Sequence, residues 1–363
     1  LQKVITFGEI MGRLAPDGKL RFGQALPGRL NVTFGGAESN VAVAVAGMGA
    51  QAAFVTALPK NPIADACVAH LRGLGVDTGN ILRVPLGRLG LYFLEQGVDQ
   101  RPSNVVYDRD GSSVALTPPD QYAWPSILAG AAWLHVSGIT PAVSRYAAQA
   151  TQDAARAAKA AGLTVSCDLN FRKKLWNWEP SLKPRQLAQK TMRDLLPFVD
   201  LVIANEEDAA DVLDIHASDT DVQAGKVSVE KYPAVAREIV RQFPNVSRVA
   251  VTLRQSISAS HNDWGAMLHV AGGEQAFFAP LRDGQYRPYE IRHIVDRVGA
   301  GDAFGAGLIF ASLTPELAQP QTALSFAAAA SCLAHTIEGD FNFVSRAEIE
   351  TLMKGSGSGR VVR

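Results

Sequence analysis

What this chain has little of narrows its chemistry first. Three cysteines, Cys67, Cys167 and Cys332, stand far apart in 363 residues. That odd, scattered set excludes a disulfide framework and a Cys-x-x-Cys motif, and it reads as reduced thiols in a core. Long hydrophobic runs are missing: Val41–Ala46 and Ala327–Ala330 are far too short to span a bilayer. Neither sign of charge dominates, since 35 basic and 35 acidic residues give a formal net charge of +0. Generic polyanion binding and a nucleic-acid partner are therefore not expected, although a small phosphorylated ligand is allowed. Leu1–Glu9 reads as a strand and lacks the charged start and apolar core of a secretory signal, so a cytoplasmic protein without membrane attachment is expected.

Several motifs are also missing. No Gly-x-x-x-x-Gly-Lys-Ser/Thr loop occurs, which excludes P-loop chemistry, and no Ser-centred nucleophile elbow occurs. Gly47-Met48-Gly49-Ala50-Gln51-Ala52 fits a loose dinucleotide fingerprint, but it follows a helix and precedes a strand. That order is wrong for a nucleotide turn, and the segment reads as a helix stop. His261 and His269 have no Cys or His partners at ligand spacing.

What is present is the composition of a soluble globular protein, 47% hydrophobic and 19% charged. Val4–Phe7 reads as a buried first strand, and Ala37–Met48 as a helix apolar on nearly all sides. A strand over Gln51–Leu58 and a helix over Ile63–Leu74, ended by Gly75, follow. From Ala132 onward, strands at Ala132–Ser137, Leu163–Asp168, Asp200–Ile203 and Ser247–Leu253 alternate with helices at about 142–161, 183–196 and 230–243. Such alternation predicts an α/β protein with a central, mostly parallel sheet and helices on both faces. Residues 85–115 form a β-rich excursion with strands at Gly90–Gln96 and Ser103–Asp108, expected to combine with residues 11–34 into a small projecting sheet. Two apolar helices are expected at about 302–313 and 320–335, and a frayed Gly/Ser-rich tail at Gly355–Arg363.

The most informative stretch is Val295-Asp-Arg-Val-Gly-Ala-Gly-Asp302. Gly299, Ala300 and Gly301 let backbone N–H groups approach an anion without side chains in the way. The helix behind them adds unpaired N–H groups and its positive dipole end. Asp302 would repel a phosphate, and its place makes sense if it takes a proton from a hydroxyl that then attacks a phosphoryl group. The plainer alternative is a Gly-rich helix start with Asp302 as an ordinary N-terminal charge. Other polar residues follow the predicted strand ends, where parallel sheets bind ligands: Asn170 and Arg172, Asn205 and Glu206, and Arg254.

A second motif, Gly35-Gly36-Ala37-Glu38-Ser39-Asn40, opens the first long helix and offers an amide to hydroxyls. Together the two motifs make the chain resemble the ribokinase-like (PfkB) carbohydrate kinase family over residues 3–350. Gly90-Leu-Tyr-Phe93, Val106-Tyr-Asp-Arg109, His135–Pro141 and Asp168–Arg172 resemble its 2-keto-3-deoxygluconate kinase branch. The resemblance implies a single ribokinase-like domain over 1–363 with a β lid from about 11–34 and 85–115. It implies ATP and Mg²⁺, with a K⁺ ion as a further candidate, and transfer to the terminal hydroxyl of a sugar acid. Asp302 with Gly299, Ala300 and Gly301 would be catalytic. Gly35, Gly36, Asn40, Tyr92, Tyr107, Arg109 and Arg172 would hold the sugar, the two arginines gripping its carboxylate as planar forks. Asn170, Asn205, Thr252, Arg254, Gly299 and Gly301 would meet ATP. Glu206 and Asp208 would meet the metal, largely through water. A homo-oligomer through the lid is expected, because a small sheet's bare face needs cover.

The chain departs from the family pattern in places. Arg297 stands where Thr or Pro is frequent, which touches any monovalent-cation site near the turn. Asp208 replaces a longer Glu, and Phe171 a frequent Tyr. The long stretch 254–293 has no evident chemical role, though it should border the nucleotide. Alternatives are a kinase of the same fold acting on fructose, ribose or a nucleoside, and a non-catalytic sugar sensor. A nicotinamide-dependent oxidoreductase is disfavoured by the misplaced glycine fingerprint.

Overall fold

The computed structural model describes residues 2–205, 207–215, 231–273 and 275–355. All of the Gly355–Arg363 tail expected to fray except Gly355, and the metal candidate Glu206, lie outside the described residues.

In chain order the strands are β1 (Lys3–Phe7), β2 (Met11–Ala15), β3 (Asn31–Gly35), β4 (Gln51–Pro59), β5 (Val76–Asp77), β6 (Ile81–Val84), β7 (Gly90–Glu95) and β8 (Asn104–Asp108). β9 (Ala131–Ser137), β10 (Thr164–Asp168), β11 (Leu201–Ala204), β12 (Arg248–Ser258), β13 (His261–Val270) and β14 (Ala276–Ala279) follow. The main sheet runs β14-β13-β12-β11-β10-β9-β1-β4-β5, with β6 beside β4. It is parallel from β12 to β5, and β13 and β14 extend it antiparallel.

The parallel strands are mostly apolar and buried along their central residues because both of their faces are covered. On β1, Val4 packs into one core and Ile5 into the other, as a period of two requires. The first core holds the helices Ala37–Gly47, Ala300–Leu313 and Pro320–Ala334. The second holds Arg145–Ala160, Pro184–Leu195 and Tyr232–Gln242. β1 pairs with β4 on one side and β9 on the other, so the connections diverge there and leave a crevice at the carboxyl ends of the strands.

A second, four-stranded sheet has the order β3-β2-β7-β8, antiparallel except for the parallel pair β2·β7. Its Met11, Tyr92 and Leu94 pack with Val105 and with Val298 of the glycine-rich turn. The expected elements are present with ends shifted by a few residues, and Gly47–Gly49 is a helix stop, with Gly49 at φ 98. Much of the stretch from 254 to 279 is the β12–β13–β14 meander, which alternation alone did not reveal. The three cysteines are free, with Cys67 and Cys167 buried. Among the described residues no helix is long and apolar enough to cross a membrane.

The helices Ala300–Leu313 and Pro320–Ala334 meet where a Cβ on Gly307 would lie 2.9 Å from the Cα of Ala327 and 3.1 Å from the Cβ of Ala330. Gly307→Val should therefore destabilise the protein by about 1–3 kcal/mol through overpacking, read as a lower denaturation midpoint in urea.

Candidate active site

The site starts from the turn that ends at Asp302. The Asp296 side chain accepts the Val298 N–H at 3.1 Å, folding the chain back before the glycines. Gly299 has φ 83, a left-handed conformation, and a Cβ there would lie 2.3 Å from the Asp340 carbonyl oxygen. Only glycine fits on both counts. The helix Ala300–Leu313 then begins, with Gly301 exposed and Asp302 in its first turn. A Cβ on Gly301 would meet nothing outside its own helix and chain neighbours within 4 Å, and Gly299 to Asp302 line the cleft, where a helix's first-turn N–H groups have no intrahelical partners.

Asp302 accepts a 2.6 Å hydrogen bond from the Asn40 amide. The other end of that amide is fixed, because Asn40 Oδ1 accepts the Gly36 N–H at 3.1 Å. Asp302 keeps partial exposure to the cleft, but protein surrounds it. Burial pushes its carboxyl up to about 7, the Asn40 bond opposes this, and the charges of Asp340 and Glu38 add to it. A carboxyl near neutrality can take up and release a proton in working conditions. Glu38 is itself buried, and its Oε1 accepts the hydroxyls of Ser137 at 2.6 Å and Thr140 at 2.8 Å.

The cleft encloses about 400 Å³. Its lining includes Gly36 and Asn40 from the start of the first long helix, Tyr92 and Tyr107 from the small sheet, and Arg172 from the loop after β10. The Tyr92 hydroxyl donates to Asp340. Arg172 is exposed, and its guanidinium donates to the Phe171 carbonyl at 3.1 Å. Two expected contacts are placed differently. Arg109 is 5% exposed and does not line the cleft; its Nε donates to Glu9 at 2.8 Å, and it lies over the Tyr107 ring at 5.7 Å. An ion pair that deep keeps the guanidinium turned inward, because an unpaired Glu9 would be costly. Gly35 faces Asp340 instead, whose carboxylate would lie 2.2 Å from a Cβ at that position.

Strand β12 and the segments after β10 and β11 add Asn170, Asn205, Asp208, Thr252 and Arg254 to the lining, and Gly299, Ala300 and Gly301 line the same cleft. Asn170 takes φ 36, which asparagine tolerates better than most residues. Asp208 ties two loops together, one oxygen accepting the Phe171 N–H at 3.0 Å and the other the Asn205 N–H at 3.1 Å. Burial raises its pKa, and that of Asp168 well above the usual range. Both Asp208 oxygens are engaged, and among the described residues no cluster of three metal-binding side chains offers a direct cage for a metal ion. The residues fit a cation that arrives on phosphate oxygens and meets the protein through water.

The pfkB family carbohydrate kinase model matches residues 1–253. The chain belongs to that family. It is an ATP-dependent carbohydrate kinase. It is 33% identical over 359 residues to the 2-dehydro-3-deoxygalactonokinase of Haloferax volcanii, covering 98% of each chain. It is 28% identical to a fructokinase of Klebsiella pneumoniae over 88% of this chain and 91% of that one. The crystal structure of the 2-dehydro-3-deoxygluconokinase of Thermotoga maritima superposes with a TM-score of 0.87 at 45% identity, covering 98% of this chain and 100% of that one.

Residues of this kinase that sequence reasoning left out of the site include Asp340, Asp168 and Trp264, all of which line the cleft. Asp168 carried a signal, since it ends a predicted strand. Asp340 follows a helix in an ordinary Glu-Gly-Asp turn, and Trp264 sits in the meander. Neither has a local pattern that marks it.

If Asp302 is the base, kcat/KM should fall with decreasing pH through about 7 as the carboxylate is protonated. The Asn40 hydrogen bond favours the charged form, so Asn40→Leu should move that limb to higher pH. A pH–rate series on both proteins checks the direction, and a limb that stays put or moves down would remove Asp302 as its source.

Proposed function

We propose that this kinase transfers the γ-phosphoryl group of ATP to the terminal hydroxyl of a 2-keto-3-deoxy sugar acid, 2-keto-3-deoxy-D-gluconate giving its 6-phosphate. The observation that carries the acid is Arg172, an exposed guanidinium lining the same cleft as Asp302. Its planar fork suits a carboxylate. The similarity to two kinases named for 2-dehydro-3-deoxy sugars supports the same substrate class.

In this reading the sugar lies between the small sheet and the strand ends, near Asn40, Tyr92 and Tyr107. The terminal hydroxyl gives its proton to Asp302 while its oxygen bonds to the γ-phosphorus, and the bond from phosphorus to the ADP oxygen breaks. The N–H groups of Gly299, Ala300 and Gly301 face the charge that develops on the phosphoryl oxygens. The nucleotide extends past Asn205, Thr252 and Arg254, and Asp208 and Glu206 meet Mg²⁺ through water. The ion neutralises phosphate charge when bound. No potassium site is proposed, because the Arg297 guanidinium already sits beside the turn, donating to the Ala259 carbonyl at 2.8 Å and to Asn262 at 2.9 Å. The small sheet acts as a lid that excludes water.

One observation favours a neutral sugar as the second reading: Arg109 is engaged with Glu9, which leaves Arg172 as the arginine of the expected pair that faces the cleft. A substrate panel separates the two. ATP consumption should be confined to 2-keto-3-deoxygluconate and its galactonate epimer, with gluconate, fructose, ribose and adenosine inert. Arg172→Gln should raise the KM for the acid roughly 10- to 100-fold, the loss of a charged hydrogen bond. Turnover on fructose or ribose alone, unaffected by that change, would reverse the choice.

The lid also supports self-association. Val32, Leu14, Phe93 and Val106 form one cross-strand row, and Val32 and Val106 are 61% and 50% exposed. We propose that a second copy covers this row. The protein should sediment as a dimer at micromolar concentration, and Val32→Lys with Val106→Lys should shift it to monomer; a wild-type monomer would contradict the interface.

A further inference from the structure

One buried cation joins the small sheet to the catalytic turn. Arg13 lies on β2 and is 3% exposed. Its guanidinium donates to Asp340 at 2.9 Å through one nitrogen and to Asp296 through another. Those carboxylates stand on the two chain segments that enclose the glycine turn. Asp296 opens the turn by accepting the Val298 N–H at 3.1 Å, and it also accepts the Gly339 N–H at 3.2 Å. The Asp340 carbonyl presses on Gly299, and its carboxylate receives the Tyr92 hydroxyl. A third residue of the small-sheet segments joins in, the Gln96 amide donating to Asp296 at 3.0 Å. Met11, Tyr92 and Leu94 pack against Val298 alongside.

This arrangement is expensive to build without a purpose beyond packing. Three charged groups are withdrawn from water, and similar-sized apolar side chains commonly stabilise such a position as well or better. What an apolar cluster cannot do is orient two carboxylates on two segments at once, which a planar fork does. Arg13 does not line the cleft, so it acts through its partners.

We propose that Arg13 is a positioning residue for phosphoryl transfer: carried by the small sheet, it clamps Asp296 and Asp340 on either side of Gly299, so that the turn takes its phosphoryl-holding shape when that sheet is seated. Seating of the sheet and alignment of the N–H groups with Asp302 then become one event, and ATP bound without sugar meets an incompletely formed turn. The inference rests on the reading that the Asp302 turn carries out the transfer, and it does not depend on which sugar is the acceptor.

The test compares wild type, Arg13→Ala and Arg13→Lys on whichever sugar of the panel the wild type phosphorylates, with ADP affinity measured by calorimetry. Arg13→Ala should lower kcat roughly a hundredfold, the cost of an ångström-scale misalignment, while ADP affinity is kept. Guanidinium ion at millimolar concentration should restore part of kcat where sodium at equal ionic strength does not. Arg13→Lys, a point charge that serves one carboxylate at a time, should fall between. Wild-type kcat in Arg13→Ala, or parallel loss of kcat and ADP affinity without guanidinium recovery, would overturn the proposal. If Arg13→Ala does not fold, Arg13→Lys decides, and an undiminished kcat there overturns it. A wild type active only on a neutral sugar would defeat the substrate reading while leaving this comparison intact.

Discussion

Phosphate is an anion, yet five carboxylates, Glu38, Asp168, Asp208, Asp302 and Asp340, converge under the cleft. The rest of the site is organised around making that tolerable. Burial raises the pKa of each one, so their charges are costly where they stand. The structure answers with donors: two hydroxyls on Glu38, two backbone N–H groups on Asp208, the Asn40 amide on Asp302, and Arg13 with Tyr92 on Asp340. Asp302 combines a carboxyl near neutrality with a place in the first turn of the helix behind the glycines, lining the cleft. On the proposed reading, that setting rather than chemical identity is what would suit Asp302 to act as the base.

The sheet makes the convergence possible. Because the chain leaves β1 in one direction and returns at β9 to build outward in the other, the loops after β9, β10, β11 and β12 open onto one edge. Asn40 and Asp302 are 262 residues apart in the chain and 2.6 Å apart in space. The small sheet sits across the same edge and reaches the turn through Arg13, Tyr92 and Val298, so the two sides of the cleft are joined by ionic and apolar contacts together.

The parallel sheet, its helices and the glycine turn were legible in the sequence because each has a local cause. Alternation of short apolar runs with amphipathic or apolar helices has one stable packing, and a turn that demands a left-handed residue at Gly299 announces itself through glycine. Asn170 and Arg172 were legible because they follow a strand whose end could be seen. The meander of β12 to β14 was not, because an antiparallel extension continues the same hydrophobic pattern as a buried parallel strand. Arg109 and Arg172 looked alike as candidate anion contacts, and the fold separates them: Glu9 lies within 2.8 Å of one, and the cleft opens beside the other.

By itself the sequence determined the fold class and the place of the glycine turn that ends at Asp302, since backbone conformation and helix polarity are properties of a few adjacent residues. Tertiary structure alone decided which carboxylates gather around that acid, how far its pKa rises, which arginine faces the cleft and which is buried against a glutamate. Those are set by distances between segments far apart in the chain and by the exclusion of water between them, neither of which has a local signature.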